Sequence, residues 1–202
     1  INANNAYSFS LNFFDIHNKY LPGGDKNLLG FAEKIKSGNL PDLNNLTILI
    51  FDRDNKDIIK KHTEQNKDIP IQWSKNVYSV ILPKKCSNFE KFSIEFLYKR
   101  DEIGKRDKNK RKLFFSDEFE ENGEYKRNKR LVLGKIKKYK DEIKVVEDPV
   151  IYKSKNYTMS KKDFAKMVMK KNPPFDKISF KNFEHLFNII AEIHKNHVHK
   201  IL

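Results

Sequence analysis

Leu46-Thr-Ile-Leu-Ile-Phe-Asp-Arg-Asp54 is an apolar run that ends in an Asp-x-Asp pair. Its length and β-branched content predict a strand buried on both faces, as in the centre of a parallel sheet. Open α/β sheets bind ligands at the carboxyl ends of their strands, where Asp52 and Asp54 lie. Because side chains two residues apart share one side of a strand, the two carboxylates can converge on one cation. Such oxygen ligands suit Mg²⁺, so the sequence predicts a metal site here.

An alternative remains open for the same residues. Asp forms turns and caps helices, so Asp52 and Asp54 could close the strand and open the helix that follows. The apolar run favours the metal site, because an Asp-x-Asp pair alone is weak evidence.

The surrounding elements alternate between strands and helices. We expect a strand at 7–14, a helix at 28–37, the central strand, a helix at 57–65 and a strand at 76–83. Asp25 or Asn27 is the expected cap of the helix at 28–37. Strand-helix alternation is the pattern of parallel α/β winding.

The C-terminal part is predicted to be helical. Ser160-Lys-Lys-Asp163 resembles a capping box, with Asp in place of Glu, and Asn172-Pro-Pro174 ends the helix that follows it. A longer helix is expected from Ser179. Its apolar residues are spaced for one buried stripe, namely Phe180, Phe183, Phe187, Ile190 and Ile193.

The composition points to a polyanionic partner. The 202 residues include 41 Lys and Arg against 27 Asp and Glu, a formal charge of +14. Nucleic acid is the simplest partner for such an excess. The alternative is a source in which proteins are generally rich in Lys and Asn.

Cysteine content and hydropathy indicate the cellular compartment in which the protein is expected. Cys86 is the one cysteine, which excludes an internal disulfide and a multi-cysteine zinc site and indicates a reduced, cytoplasmic setting. No run of 18 apolar residues or signal peptide is present, so we expect no membrane association. Because the chain begins with Ile1 rather than Met, we expect it to be a piece of a longer protein.

Composition changes at residue 99 and suggests three segments. Lys99–Lys112 holds eight basic residues against three acidic ones, and Lys126–Lys140 is again strongly basic. We therefore expect an α/β core at 1–100, a basic insertion at 101–158 and C-terminal helices at 159–202 that pack on the core. A single charge run is more often solvated surface, but two in one segment favour binding.

Glu95 is the next candidate for chemistry. It lies inside the apolar segment Phe92–Tyr98, predicted as a short helix or a strand, where a charged residue usually has a partner or a metal. Since the strand before it would neighbour the Asp-bearing strand, Glu95 could reach the same cation. The alternative is an exposed Glu on an amphipathic helix.

Mg²⁺ or Mn²⁺ held by Asp52, Asp54 and Glu95 would support phosphodiester hydrolysis. Basic side chains would hold the substrate by its phosphates, giving affinity that depends on salt but not on base sequence. The candidates are Arg106, Lys110, Arg111, Lys112, Arg127 and Arg130.

These motifs resemble a Toprim domain, in particular the C-terminal Toprim domain of OLD-family ATPase nucleases and related phage-defence proteins. The resemblance rests on three segments, Ile48–Asp54, Asn76–Pro83 and Ser93–Tyr98. It implies a mostly parallel central sheet flanked by helices, and a catalytic role for Asp52, Asp54 and Glu95. It also implies DNA rather than RNA as the substrate, and an ATPase domain or subunit as a partner.

Two departures accompany the resemblance. A Toprim domain has an earlier strand that ends in a catalytic Glu, whereas the first Glu here is Glu33, on a predicted helix. A haloacid-dehalogenase-type phosphatase also has Asp-x-Asp after an apolar strand, but Asn55-Lys56 replaces the small residue and Thr that normally follow.

The sequence thus predicts an α/β, Toprim-like, metal-dependent endonuclease module of a larger anti-phage defence protein. One alternative is a catalytically inactive basic domain that binds nucleic acid or regulates. Another is a scaffold module whose C-terminal helices contact a partner.

Overall fold

A computed structural model describes residues 24–64, 67–134 and 143–199. The helices are α1 (Asp25–Lys36), α2 (Lys56–Lys61), α3 (Arg100–Ile103), α4 (Lys161–Met169) and α5 (Glu184–His199). The strands are β1 (Thr47–Phe51), β2 (Thr63–Glu64), β3 (Lys67–Asp68), β4 (Ile71–Gln72), β5 (Val77–Ile81), β6 (Phe114–Phe115), β7 (Val132–Leu133), β8 (Val145–Val146), β9 (Val150–Tyr152) and β10 (Lys155–Asn156). The strand predicted at 7–14 lies outside the described residues.

The chain divides into two compact units. The first runs up to Lys91 and resumes at Asn182, and the second runs from Phe92 to Lys181. The first unit therefore contains β1 to β5 with α1, α2 and α5, and the second contains β6 to β10 with α3 and α4.

The main sheet of the first unit has the order β1-β5-β4. β1 and β5 pair in parallel, with Thr47 opposite Val77 and Phe51 opposite Ile81, and α2 lies between them in the chain. The prediction that the Asp-bearing strand neighbours the strand at 76–83 is therefore confirmed. β4 adds to β5 in the antiparallel sense.

The class is mixed α/β, as predicted. Apart from β1 with β5, the strand pairs in the described parts of the chain are antiparallel and short, so the mostly parallel sheet that the resemblance implies is not confirmed. Every residue of β5 is buried, whereas β1 alternates between buried and half-buried residues. The strand buried on both faces is thus β5, and the prediction of such burial for β1 is wrong for one of its two faces.

Helix α1 starts earlier than its sequence suggested. Gly24 adopts a φ of +99°, so the chain turns there and the helix begins at Asp25 without a side-chain cap. The expectation that Asp25 or Asn27 caps this helix is wrong. Ala32 and Ile35 face the core of the first unit with Leu49, Phe51 and Val77.

A neutral polar cluster, His62, Ser79 and Trp73, is buried in the same core. The Nδ1 of His62 lies 3.1 Å from the carbonyl oxygen of Ile58, which can only accept, so Nδ1 carries the proton. The Nε2 of His62 then accepts from the Ser79 hydroxyl at 2.8 Å. The indole N–H of Trp73 donates to the Ser79 oxygen at 2.7 Å, which completes the cluster.

The C-terminal helices largely match their patterns. Ser160 caps α4, because its Oγ accepts from the backbone N–H of Asp163 at 3.0 Å. Helix α5 begins at Glu184 rather than Ser179, since Lys181–Phe183 forms a 3-10 turn. Phe183, Ile190 and Ile193 are buried as predicted, whereas Phe187 is half-buried and Phe180 lies before α5 and packs on the core of the second unit. No helix in the described ranges is long and apolar enough to cross a membrane.

Candidate functional site

The carboxyl ends of β1 and β5 meet at one edge of the sheet. Phe51, the last residue of β1, pairs with Ile81, and its carbonyl oxygen accepts from the N–H of Leu82 at 3.0 Å. Asp52 follows directly and is half-buried, while Asp54 is exposed. The Asp-x-Asp pair therefore lies where parallel strands place their ligand sites.

Neither acid caps the helix that follows. The N-cap of α2 is Asn55, whose Oδ1 accepts from the backbone N–H of Asp57 at 3.0 Å. Helix capping therefore does not account for Asp52 or Asp54, whereas Asp54 does lie in the turn between β1 and α2.

Arg53 anchors the segment that carries the two acids. Its guanidinium is buried and donates from Nη1 to Oδ1 of Asp68 at 2.6 Å and to the carbonyl oxygen of Leu82 at 3.3 Å. The other carboxylate oxygen of Asp68 accepts from the N–H of Lys84 at 2.9 Å. This ion pair ties the end of β1 to the residues after β5.

A third carboxylate, Asp25, lies near Asp54. Partial burial raises the pKa of Asp25, and the negative charge of Asp54 raises that pKa further. Asp25 was expected to cap a helix, and its proximity to Asp54 was not predicted. The one local signal was the Gly-Gly pair before Asp25, which marks where the helix can begin but not which strand lies beside it.

Asp52 and Asp54 offer two carboxylates, which suit a hard divalent cation at a site with few protein ligands. Mg²⁺ is commonly held by one or two carboxylates, with water and phosphate oxygens completing its shell. The like charges of Asp25 and Asp54 are the kind of repulsion that a cation relieves. In the parts of the chain that the structure describes, no group of three or more His, Cys, Asp or Glu side chains is placed to hold a metal ion.

Glu95 belongs to the second unit. It lies in a 3-10 turn, Ile94–Leu97, with only 6% of its surface exposed. Its Oε2 accepts from Ser93 Oγ at 2.5 Å and lies 3.2 Å from Nζ of Lys161. Burial raises the pKa of Tyr98 to about 12, with a smaller contribution from Glu95.

Glu95 therefore has the partner expected of a charge inside an apolar run, and that partner is Lys161. The alternative of an exposed Glu on an amphipathic helix is wrong. Its role as a metal ligand stays a prediction.

The six predicted phosphate-binding residues differ in exposure. Arg106, Lys110, Arg127 and Arg130 are exposed. Arg111 is half-exposed and pairs with Asp107 at 2.9 Å and Asp163 at 3.1 Å. Lys112 is buried and pairs with Glu118, its Nζ lying 2.6 Å from Oε1. Four of the six can therefore meet a polyanion at the surface.

No protein-family model, curated protein or solved structure matches this chain.

Proposed function

We propose that the protein is a Toprim-like nuclease module that uses Mg²⁺ or Mn²⁺ to hydrolyse phosphodiester bonds, with DNA as the preferred substrate. We also propose that it serves a larger anti-phage defence protein together with an ATPase domain or subunit. The observation that carries the nuclease proposal is the parallel pair β1 and β5, with Asp52 and Asp54 following β1.

The acidic residues near the carboxyl ends of β1 and β5 have different roles in the proposed reaction. Asp52 and Asp54 hold the cation, which when bound polarises a phosphoryl oxygen and lowers the pKa of a bound water. Asp25 lies near Asp54 and is our candidate general base. It takes the place of the upstream Glu that the resemblance requires.

The phosphate backbone is held by the exposed cations of the second unit. Arg106, Lys110, Arg127 and Arg130 supply charge without base-specific geometry. Binding by such contacts weakens steeply as salt rises.

Cleavage of labelled DNA in Mn²⁺ tests the proposal. Asp52→Asn and Asp54→Asn are each expected to lower the rate by about 100-fold or more, since each removes a ligand, while DNA binding stays near the wild-type level. Asp176→Asn, the same charge change at an exposed position of the second unit, is the matched control. Cleavage that survives both edge variants refutes the nuclease proposal.

Glu95→Gln belongs in the same assay. A rate that falls with DNA binding and folding intact supports Glu95 as a third ligand. An unchanged rate leaves it as the structural partner of Lys161.

A second candidate is a catalytically inactive basic domain that binds nucleic acid or regulates. The observation that favours it is the exposure of four predicted phosphate-binding cations in a unit separate from the one that carries Asp52 and Asp54. Under this alternative, Asp52→Ala leaves DNA affinity unchanged or raises it, and no metal-dependent cleavage is observed.

A further inference from the structure

The second unit contains a pocket of about 420 Å³. Pockets that take small ligands start at about 300 Å³, so this volume suits one nucleotide-sized group. Its lining combines cations, acids and one aromatic ring, namely Arg100, Asp101, Lys112, Phe115, Glu118 and Arg127.

The Lys112–Glu118 ion pair contributes a buried, ordered part of the lining. Lys112 is 5% exposed, and its Nζ lies 4.6 Å from the ring centre of Phe114 and 5.2 Å from that of Tyr125. The second oxygen of Glu118 accepts from the N–H of Phe115 at 2.9 Å. The ammonium is therefore fixed in place before any ligand arrives.

Arg100 lines one side of the pocket and is held by two neighbouring side chains. Its guanidinium donates two hydrogen bonds to the carboxylate of Asp117 and stacks over Phe115, 4.5 Å from the ring centre. The side chain nevertheless remains 45% exposed. A guanidinium plane held in this way can hydrogen-bond a phosphate at its edge or stack on a nucleobase.

Arg127 adds a positive charge to the lining of the pocket. It is exposed and makes no ion pair with the residues that the structure describes. Burial lowers the pKa of Lys112 despite its bond to Glu118, and the positive charges of Arg106 and Arg127 lower that pKa further. An anion in the pocket would relieve this repulsion.

We propose that this pocket binds a nucleotide-sized phosphomonoester, with Arg127 and Arg100 contacting the phosphate and Lys112 reinforcing the positive potential. A phosphomonoester carries a charge of about −1.5 to −2 at neutral pH and three acceptor oxygens, which match several cationic donors. The ligand is either a free nucleotide or the phosphorylated end of a strand. The site goes beyond the proposed nuclease function: it shares Arg127 with the proposed DNA-binding surface but involves none of Asp25, Asp52 and Asp54.

Calorimetric titration of the full chain in EDTA separates this proposal from the metal-dependent one. Deoxythymidine 5′-monophosphate is expected to bind at least about tenfold more tightly than deoxythymidine, which lacks the phosphate. Equal affinities overturn the proposal, as does the absence of binding. Neither result bears on metal-dependent cleavage.

Two arginines of one turn give a matched pair of variants. Arg127 and Arg130 are both exposed and lie between Tyr125 and Leu131, but only Arg127 lines the pocket. Arg127→Ala is expected to weaken nucleotide binding by about tenfold. Arg130→Ala is expected to change it by less than about twofold, because an exposed charge outside the site contributes little. Equal losses in the two variants overturn the proposal.

A substitution at Asp101 should change nucleotide affinity in the opposite direction. It is exposed and lines the pocket, so Asp101→Asn is expected to tighten nucleotide binding by removing a negative charge. Unchanged or weaker binding in a folded variant contradicts the proposed geometry.

Oligonucleotides then distinguish the two sources of the phosphate. A 5′-phosphorylated oligothymidylate that binds more tightly than both its 5′-hydroxyl form and the free nucleotide identifies a strand end as the ligand. A free nucleotide that binds as tightly as the phosphorylated strand identifies the nucleotide. Strand binding that ignores both the terminal phosphate and Arg127 overturns the proposal.

Discussion

The two units bury polar groups in different ways. The first unit encloses the neutral cluster of His62, Ser79 and Trp73 in its core and holds the ion pair Arg53–Asp68 at the end of β1, whereas the second encloses the charged pair Lys112–Glu118. A neutral cluster needs only hydrogen bonds, while a buried ion pair needs its opposite charge to offset lost hydration. We therefore expect the loss of one partner of the Lys112–Glu118 pair to destabilise the protein more than the loss of one partner of the neutral cluster.

Removing one charge of the buried Lys112–Glu118 pair should have the largest effect on the free energy of unfolding. Glu118→Gln leaves the ammonium of Lys112 without its carboxylate and is expected to lower the free energy of unfolding of the second unit by about 3 kcal/mol or more. Amide hydrogen exchange of β6 measures this change. Glu120→Gln, at an exposed position close by, is the control and should have little effect. Similar losses in both variants would contradict the difference between the units.

Removing a hydrogen-bond partner from the neutral cluster should lower the free energy of unfolding by less than removing a charge from the Lys112–Glu118 pair. Ser79→Ala removes the partner of both the Trp73 indole and the His62 ring, with an expected loss of about 1–3 kcal/mol in the first unit. Trp73 is the one tryptophan of the chain, so its fluorescence during denaturation reports on this unit. Ser37→Ala, at an exposed helix end, is the comparison. A larger loss than that of Glu118→Gln would reverse the ranking.

Acid should weaken the first unit through His62. Burial lowers the pKa of His62 below its ordinary value of 6.5, and the positive charge of Lys61 lowers it further, although the contact with the Ile58 carbonyl opposes both. Between the lowered pKa and 6.5 the unfolded chain binds more protons, so stability rises with pH through this window. It is lost as pH falls below 6.5, by up to about 1.4 kcal/mol per unit.

Denaturation monitored by Trp73 fluorescence at several pH values checks this slope. His62→Gln keeps a hydrogen-bonding side chain but cannot titrate, so its stability should vary less over the same range. An equal slope in both proteins would show that other groups cause the acid sensitivity.

Removing the exposed carboxylate of Asp54 should have the smallest effect on the free energy of unfolding, and this effect should be stabilising. Asp54→Asn removes the like charge beside Asp25, so the pKa of Asp25 is expected to fall and stability at neutral pH to rise by less than about 1 kcal/mol. Carboxyl NMR titration and denaturation measure the two changes. Asp42→Asn is the contrast: Asp42 accepts from Ser74 at 2.5 Å and from the N–H of Leu43 at 2.8 Å, so its loss should destabilise. Destabilisation by Asp54→Asn would argue against repulsion at this edge.

Local patterns predicted several elements correctly. The apolar run at 47–51 and the proline-terminated run at 77–81 form neighbouring parallel strands. Ser160 caps α4 as its spacing indicated. These features succeed because strand propensity, capping and short crossovers depend on residues close together in the chain.

The same reasoning could not identify contacts between residues that are far apart in the chain. Glu95 was correctly singled out as a charge that needs a partner, but its pairing with Lys161 spans a large sequence separation. Lys112 and Arg127 were predicted as phosphate-binding residues of two charge runs, but not as neighbours that line one pocket with Arg100 and Glu118. Charge runs give composition, but which side chains meet depends on how the segments pack.

The sequence alone was sufficient for the mixed α/β class, the strand ending in Asp52 and Asp54, and the excess of basic residues. Tertiary packing was needed to place Asp25 beside Asp54, to bury Lys112 against Glu118 and to assign Glu95 to the second unit. The physical reason is the range of the interactions. Backbone hydrogen bonding and apolar periodicity are written into neighbouring residues, whereas a buried charge is defined by whichever distant residue the fold brings to it.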